Sequence, residues 1–265
     1  MNNFFAAALD GAWVPVWAAI AAAVCAYFIG NINPAILLGR AQGIDIRSKG
    51  SGNAGATNAA RALGKKAGAA VFLIDVAKGW ACYFAPHMAF LFVVQRNDAV
   101  FRALVSSAYP DAGAAAALYA FSAVPSAVAM LCGLLAVLGH MYPAVFGFRG
   151  GKGVATAFGV LLAASPVYAL VLLAIVIVFT AIFRRVSLSV LIAVAVSLVL
   201  VFSGFAAGII AWGQFYYNIG VFRFNVFQPL WLSIIMALIV WKHRGNIKRL
   251  AKGEESKLSF GGGNK

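Results

Sequence analysis

The sequence is poor in acidic residues: it contains 7 Asp and Glu against 21 Lys and Arg. A magnesium site needs several carboxylate ligands, so a magnesium-dependent phosphotransfer site is poorly supplied. We therefore expect no metal and no cofactor, and a chemistry built on cations. The basic excess does not indicate nucleic-acid binding, because the basic residues border apolar runs and no nucleic-acid-binding module is visible.

Cysteine is also scarce. Cys25, Cys82 and Cys132 lie in apolar stretches, without the spacing of a metal site or of a disulfide framework. We expect three buried free thiols that take no part in chemistry.

Polar residues are too few to cover a soluble protein, since 63% of the 265 residues are hydrophobic. The apolar runs at 154–183 and 188–210 reach the ~20 residues that cross about 30 Å of hydrocarbon. The sequence therefore predicts an all-α membrane protein with a single polytopic domain, residues 1–265. The first apolar stretch lacks the preceding positive charge of a signal peptide, and we expect it to remain as an anchor.

Hydropathy and charge predict about seven transmembrane helices, some of them short. They cover residues 13–38, 67–94, 112–146, 154–165, 167–183, 188–210 and 229–241. In the third, Pro125 is expected to separate a surface segment from the spanning part. Basic residues at both ends of 154–183 require two crossings, which we expect Ser165-Pro166 to divide.

One predicted face carries most of the basic residues, including the tail at 242–265, and the positive-inside rule makes it cytoplasmic. On the opposite face three arginines are balanced by three aspartates: Arg96, Arg102, Arg223, Asp10, Asp98 and Asp111. We expect the N-terminus outside and the C-terminus in the cytoplasm.

Asp75 and Lys78 lie three residues apart in the second predicted span. They are expected either to form a pair that neutralises itself or to border a functional site, and both readings stay open. His140 is expected to end a helix or to pack, because no acidic partner is evident nearby.

The first cytoplasmic loop, Gly43 to Asn58, is rich in glycine, hydroxyl and amide residues. Its glycines let successive backbone N–H groups turn toward one concavity, the geometry that an oxyanion or phosphate needs. The short polar side chains and the following cation are Ser51, Asn53, Thr57, Asn58 and Arg61. Gly50 to Gly55 also fits G-x-G-x-x-G, but without a βαβ unit this match does not indicate a dinucleotide site. A flexible loop that needs glycine only to turn is the alternative, and it leaves the flanking cations unexplained.

The second motif is Gly139-His-Met-Tyr-Pro143 followed by Gly150-Gly-Lys-Gly-Val-Ala-Thr156. It places Lys152 at the start of a helix, where a cation beside free N–H groups makes a strong anion site. This is not a Walker A loop, since Gly153 stands where Ser or Thr would ligate magnesium.

A third basic cluster, Lys242 to Lys252, follows the last predicted span. It fits an anchor for anionic lipid headgroups. It equally fits a part of the site, because His243 and Asn246 share one face of a continuing helix.

At these three motifs the sequence resembles the bacterial membrane-bound glycerol-3-phosphate acyltransferases that use acyl phosphate as donor. The resemblance rests on Asp45 to Asn58, on the second motif, and on His243-Arg-Gly-Asn246, in the order and spacing of the family. It implies a seven-helix protein of the bacterial cytoplasmic (inner) membrane with its motif loops on the cytoplasmic side. Asn31 stands where the family commonly has serine.

The resemblance implies transfer of a fatty acyl group from acyl phosphate to the 1-hydroxyl of glycerol 3-phosphate, giving lysophosphatidic acid and phosphate. Matched positions imply catalytic roles for Ser51, Lys152, His243 and Asn246. They imply substrate-binding roles for Gly52, Asn53, Thr57, Asn58, Arg61, Gly151, Gly153 and Ser187. Among these, Ser51, Thr57, Asn58 and Lys152 are implied donors to the acyl phosphate, and Arg61, His243 and Asn246 act toward glycerol 3-phosphate.

Implied partners are the two substrates, membrane lipids and the soluble enzyme that makes acyl phosphate, with the protein a monomer that binds no nucleic acid. Residues 95–126 and 212–227 look like insertions on the outer face. The main rival function is a transporter of an organic phosphate, but no inverted repeat is visible and the motifs lie on one face.

Overall fold

The structure is a computed structural model that describes residues 16–96, 114–208 and 227–258. Within these ranges the regular structure is helical and contains no strand, as the sequence predicts. Ten α-helices are present there, with these bounds: α1 Val16–Asn31, α2 Pro34–Ala41, α3 Ala56–Leu63, α4 Lys65–Arg96, α5 Ala114–Met141, α6 Val154–Ala164, α7 Pro166–Phe183, α8 Val186–Gly208, α9 Phe227–Lys242 and α10 Arg244–Ala251.

Four stretches of the described chain are long and apolar enough to cross a membrane: Val16–Ala41, Lys65–Phe92, Pro125–Phe146 and Pro166–Phe183. Three shorter apolar helices are Val154–Ala164, Val186–Val201 and Leu230–Lys242. These seven segments overlap the seven predicted spans, while the number of actual crossings stays a prediction. The main apolar core lies between α5, α6, α7, α8 and α9.

The first predicted span, 13–38, is interrupted, because α1 ends at Asn31 and α2 begins at Pro34. Asn33 makes this break: its side-chain oxygen accepts a hydrogen bond from Ile36 N at 3.0 Å, and the proline follows at the first helical position. Both features are typical of a helix start. The break leaves backbone carbonyl groups at the end of α1 without helical hydrogen-bond partners. It lies close to the loops that follow α2 and α5.

Two prolines were expected to interrupt helices, and only one does. α6 ends at Ala164 and α7 begins at Pro166, the division that the sequence predicts. At Pro125 α5 continues as one helix, so no helix end marks the expected separation of a surface segment from the spanning part, and that separation stays a prediction. A proline removes one helical hydrogen bond, and a helix packed among others tolerates this loss.

Small residues let the helices approach closely. A Cβ on Gly79 of α4 would overlap the backbone oxygen of Thr156 in α6, and Gly159 of α6 meets the backbone of α4 in the same way. α1 and α5 come together similarly at Gly30 and Gly139. Such glycine contacts are the usual means of packing membrane helices, where van der Waals contact replaces the hydrophobic effect.

The cysteines are free thiols. Cys82 and Cys132 are buried as expected, whereas the expectation is wrong for Cys25, which is exposed on α1. Apolar neighbours on the same helix, Val24 and Phe28, are exposed as well. This face of α1 has the composition of a surface that contacts lipid.

Candidate active site

The first loop, defined as residues 42–55, is folded around one buried amide. The side-chain oxygen of Asn58 accepts a hydrogen bond from Ser51 N at 2.9 Å, and its nitrogen donates to Ile46 O and Lys49 O, both at 3.0 Å. Both amide hydrogens are therefore used within the loop. The resemblance implies that Asn58 donates a hydrogen bond to the acyl phosphate. This geometry does not support that role, because the side chain holds the first loop instead. The Ser51 side chain is left exposed.

Two glycines turn the first loop. Gly50 and Gly52 have φ of 57° and 70°, a region that disfavours residues with a side chain. α3 then begins after Gly55, which supplies no side-chain cap. Thr57 is half-buried in its first turn, and Arg61 is exposed one turn later. The N–H groups at this helix start have no capping side chain from Gly55, which suits an anion.

The second loop, defined as residues 142–153, places a lysine before a helix, as predicted. Gly153 precedes α6 with φ of 76° and provides no side-chain cap. Gly151 is buried and its N–H donates to His140 O at 3.1 Å, so this N–H is used inside the protein. The two loops meet here, since a Cβ on Gly151 would lie 2.7 Å from Ala54 O. Lys152 follows directly.

A chain of polar contacts fixes the Lys152 ammonium. Its Nζ donates to the side-chain oxygen of Asn246 at 2.5 Å, and the Asn246 nitrogen donates to Glu255 Oε1 at 2.6 Å. A lysine can only donate and an ionised carboxylate can only accept, so the orientation of the amide between them is determined. Asn246 is buried at the start of α10. The structure therefore joins two predicted site residues that are far apart in sequence.

Glu255 is a site residue that the sequence did not reveal. Ser187 donates to its Oε1 at 2.5 Å and Arg249 to its Oε2 at 2.8 Å. Arg185 also donates to the Glu255 backbone oxygen at 3.3 Å. Burial opposes its charge, but hydrogen bonds from Ser187, Asn246 and Arg249 outweigh burial and lower the pKa of Glu255. The only sequence signal was an acidic pair, Glu254-Glu255, in an otherwise basic tail.

Part of the basic tail thus docks against the protein. Besides the Glu255 contacts, Leu258 N donates to Arg184 O at 2.6 Å, so the chain returns to the connection between α7 and α8. Of the two readings of the third motif, this favours a part of the site for His243, Asn246 and Arg249. Cations that point away from it remain exposed and fit the lipid-anchor reading: Arg244, Lys248 and Lys252.

His243 is buried between α9 and α10. Its Nδ1 lies 2.8 Å from Ile239 O, and because a carbonyl only accepts, this nitrogen carries the proton. Burial first, and then the Lys152 charge, lower the pKa of His243 to about 4. The ring is therefore neutral at pH 7 and its Nε2 carries a lone pair, which is the form that can accept a proton.

Cations surround Lys152 more than anions do. Burial lowers its pKa to about 8; Glu255 opposes this shift, whereas the charges of Arg249, Arg61 and Lys242 reinforce it. Lys242 Nζ also donates to Met141 O at 3.0 Å, which ties α9 to the end of α5. Three cations and a lysine against one carboxylate leave an excess of positive charge. Such an excess suits a dianionic phosphate group.

A second charged cluster lies behind the loops. Asp75 Oδ1 is 2.7 Å from Lys78 Nζ, so the predicted pair is present. His140 lies in the last turn of α5 and is buried, as expected, but it does have an acidic partner: its Nδ1 lies 3.2 Å from the same carboxylate oxygen and 2.9 Å from Lys78 Nζ. The acidic partner comes from another helix, 65 positions earlier in the chain, and local sequence gave no sign of it.

Several predicted features lie outside the described residues. They are Asp10, Asp98, Asp111, Arg102 and Arg223, together with most of the two segments interpreted as insertions, 95–126 and 212–227.

Comparison with known proteins identifies the family. Residues 20–253 match the family described as glycerol-3-phosphate acyltransferase. A glycerol-3-phosphate acyltransferase of Chlorobaculum parvum is 38% identical over 251 residues, which cover 89% of this chain and 94% of that protein. The chain belongs to the glycerol-3-phosphate acyltransferase family. Another relative with this name, from Clostridioides difficile, is 36% identical and covers 92% of this chain and 97% of its own.

Solved structures of the glycerol-3-phosphate acyltransferase family agree. The crystal structure of PlsY, an integral membrane glycerol 3-phosphate acyltransferase, in its glycerol 3-phosphate form has a TM-score of 0.65 at 32% identity, covering 91% of this chain and 96% of that one. Its lysophosphatidic acid form has a TM-score of 0.62 at 31% identity. The likeness confirms the all-α membrane class and the family resemblance, while the number of crossings and the orientation stay predictions.

Proposed function

We propose that this protein transfers a fatty acyl group from acyl phosphate to the 1-hydroxyl of glycerol 3-phosphate, giving lysophosphatidic acid and inorganic phosphate. The observation that carries the proposal is Lys152, held by Asn246 just before the uncapped start of α6 and surrounded by further cations. Family membership supplies the acceptor, because the relatives are named for glycerol 3-phosphate. The acyl phosphate donor is what the resemblance of the three motifs implies, and a cationic, carboxylate-poor site suits such a donor.

In this proposal Lys152 and the first N–H groups of α6 bind the phosphate of the acyl donor. The 1-hydroxyl oxygen attacks the acyl carbonyl carbon, an ester bond forms, and the bond from that carbon to the phosphate oxygen breaks. Charge develops on the carbonyl oxygen and on the departing phosphate, where fixed cations and N–H donors stabilise it. The Ser51 hydroxyl, exposed in the first loop, also donates a hydrogen bond to the acyl phosphate. No covalent enzyme intermediate is needed, because an acyl phosphate is already activated.

The proton of the attacking hydroxyl needs an acceptor. Neutral His243 offers its Nε2, and a substrate phosphate oxygen offers another basic atom. Arg61, on the exposed side of α3, binds the phosphate of glycerol 3-phosphate. Glu255 holds its own charge against Ser187, Asn246 and Arg249, so it acts by orienting Asn246 and not as the base.

We also infer that the site opens on the cytoplasmic side, with the N-terminus outside and the C-terminus inside. The support is that the first loop, the second loop and the docked tail, which hold most of the described cations, gather at one end of the helices. The acyl chain then stays in the membrane while both phosphates face the cytoplasm. Acyl phosphate made by a soluble enzyme would reach the site from that side.

The test is acyl transfer to glycerol 3-phosphate by detergent-purified protein, without magnesium, from palmitoyl phosphate, palmitoyl-CoA or palmitoyl acyl carrier protein. We expect lysophosphatidic acid and one equivalent of phosphate from palmitoyl phosphate alone. Product from a thioester donor at a similar rate would contradict the donor assignment. The absence of product from every donor, with folded protein, would contradict the proposed function and return attention to transport of an organic phosphate.

A further inference from the structure

The charged cluster Asp75, Lys78 and His140 has no part in the mechanism above, yet it is almost fully buried. The three residues are 1%, 7% and 3% exposed. Burying charged side chains within a membrane-spanning helix is costly, and such residues usually have a function. A buried ion pair also adds little net stability, so stability alone does not explain this cluster. Its contacts show what it could hold in place.

One set of contacts reaches the break between α1 and α2. Lys78 Nζ donates to Gly30 O at 3.2 Å and to Ile32 O at 2.7 Å, carbonyl groups that the end of α1 leaves without helical partners. The same break also touches both loops: Asn33 Nδ2 donates to Ala54 O at 3.2 Å, and Asn31 Oδ1 accepts from Val145 N at 3.4 Å.

Another set of contacts reaches the residue before Lys152. His140 binds the ion pair through Nδ1, and a Cβ on Gly151 would overlap its other ring nitrogen, Nε2. The imidazole therefore fills the space between the ion pair and Gly151. Contacts with Asp75 and Lys78 set the orientation of the ring on one side. On the other side the ring packs against the backbone that carries Lys152.

The same turn of α4 fixes the chain after Lys152. Gly79 directly follows Lys78 and packs against the backbone oxygen of Thr156 in the first turn of α6. Residues 75–79 therefore contact the chain on both sides of Lys152. The contact before Lys152 is indirect, through His140 and Gly151, and the contact after it is direct, at Thr156. A lysine held between two such contacts keeps one position relative to the start of α6.

We propose that Asp75, Lys78 and His140 are positioning residues that set the place of Lys152 through Gly151, without touching substrate. This deepens the proposed function and rests on the role given there to Lys152. A displacement of about 1 Å at a reacting group can cost on the order of 100-fold in rate. At metal sites, loss of a contact that orients a ligand typically costs about 10- to 100-fold, and we expect a loss in the same range here.

Two variants test the proposal without leaving an unpaired charge. His140→Leu keeps the Asp75–Lys78 pair and much of the ring volume, and the double variant Asp75→Asn/Lys78→Met removes both charges together. We expect each to fold and to lose about 10- to 100-fold in kcat. The KM for glycerol 3-phosphate should stay near the wild-type value, because Arg61 lies on α3. The matched control is Cys82→Ala, a buried change on the same helix, which should keep wild-type kcat.

A second readout separates positioning from folding and from activity. Competitive acetylation of Lys152 with acetic anhydride, followed by mass spectrometry across pH, reports its pKa directly. The wild-type midpoint should lie near the value of about 8, and both variants should move it upward as Lys152 leaves its buried place. The Cys82→Ala control should not move it.

The outcomes are distinct. Lower kcat with a shifted midpoint supports the proposal, and a shifted midpoint in a protein that transfers no acyl group keeps the positioning role while the proposed function fails. Wild-type kcat and an unmoved midpoint in either folded variant would overturn the positioning role. A lower kcat with an unmoved midpoint would do so as well, because the loss would then not pass through Lys152.

Discussion

The pH dependence of acyl transfer is the sharpest prediction from the site. The half-buried Lys152, with a pKa of about 8, loses its proton well below the usual pH for lysine. If its cation stabilises the transition state, kcat/KM is constant below this pKa and falls above it. One unit above the pKa roughly a tenth of the lysine is charged, so kcat/KM should be about tenfold lower at pH 9 and about 100-fold lower at pH 10. A lysine with the ordinary pKa of about 10.4 would lose almost nothing by pH 9.

The assay is the initial rate of lysophosphatidic acid formation from palmitoyl phosphate between pH 6.5 and 10, with spontaneous hydrolysis of the donor subtracted. The second pKa of a phosphate monoester is about 6, so its titration is nearly complete by about pH 8 and produces no limb above it. Lys152→Arg should remove the limb from this range, because arginine stays charged. Lys248→Met, a change at an exposed cation of α10, should leave it in place.

The stability of the folded protein should change with pH in the opposite direction to the rate, and this provides a control. Between pH 8 and the ordinary lysine pKa, the unfolded chain binds the Lys152 proton and the folded chain does not, so this residue's contribution to stability rises with pH. The alkaline fall in rate should therefore occur without unfolding, which thermal denaturation in detergent can check at each pH. A wild-type profile that is flat to pH 10 would refute the role of a half-buried Lys152 cation.

Two further predictions concern contacts around the site. Ser187→Ala should lower the free energy of unfolding by about 1.5 to 3 kcal/mol, because it removes a hydrogen bond to the charged Glu255. Denaturation measures this change, and an unchanged free energy of unfolding would contradict the contact. Gly79→Ala should lower the unfolding temperature and the activity together, since its Cβ would overlap Thr156 O, whereas Gly245→Ala, with its nearest atom 3.7 Å away, should not. Equal behaviour of the two alanines would contradict the close packing.

Local features of the sequence predicted much of the fold. The division at Ser165-Pro166 follows from a proline and from charges at both ends of one apolar run, and Lys152 follows from its glycines and the helix after it. Pro125 does not end a helix, because packing allows a helix to continue through a proline. The break at Asn33-Pro34 was not predicted, although this dipeptide is typical of a helix start, because the apolar span 13–38 continues across it.

The connections within the site were less predictable, because they join distant parts of the chain. Nothing local relates Asp75 to His140, and a resemblance of motifs does not say that the Asn58 amide is used up inside its own loop. Glu255 was hidden in a tail whose composition suggested only lipid contact. These residues become visible only when the folded chain shows where each hydrogen is donated.

The scarcity of acidic residues gains a physical meaning from these contacts. Glu255 neutralises one charge near Lys152, and Asp75 forms an ion pair with Lys78 behind the second loop. Neither carboxylate cancels the remaining cations, so positive charge is left over where phosphate would bind. An added acid near Lys152 would repel the phosphate and raise the lysine pKa, weakening binding while improving protonation. Glu255 and Asp75 thus serve to orient Asn246 and His140, and the excess of cations remains for the substrates.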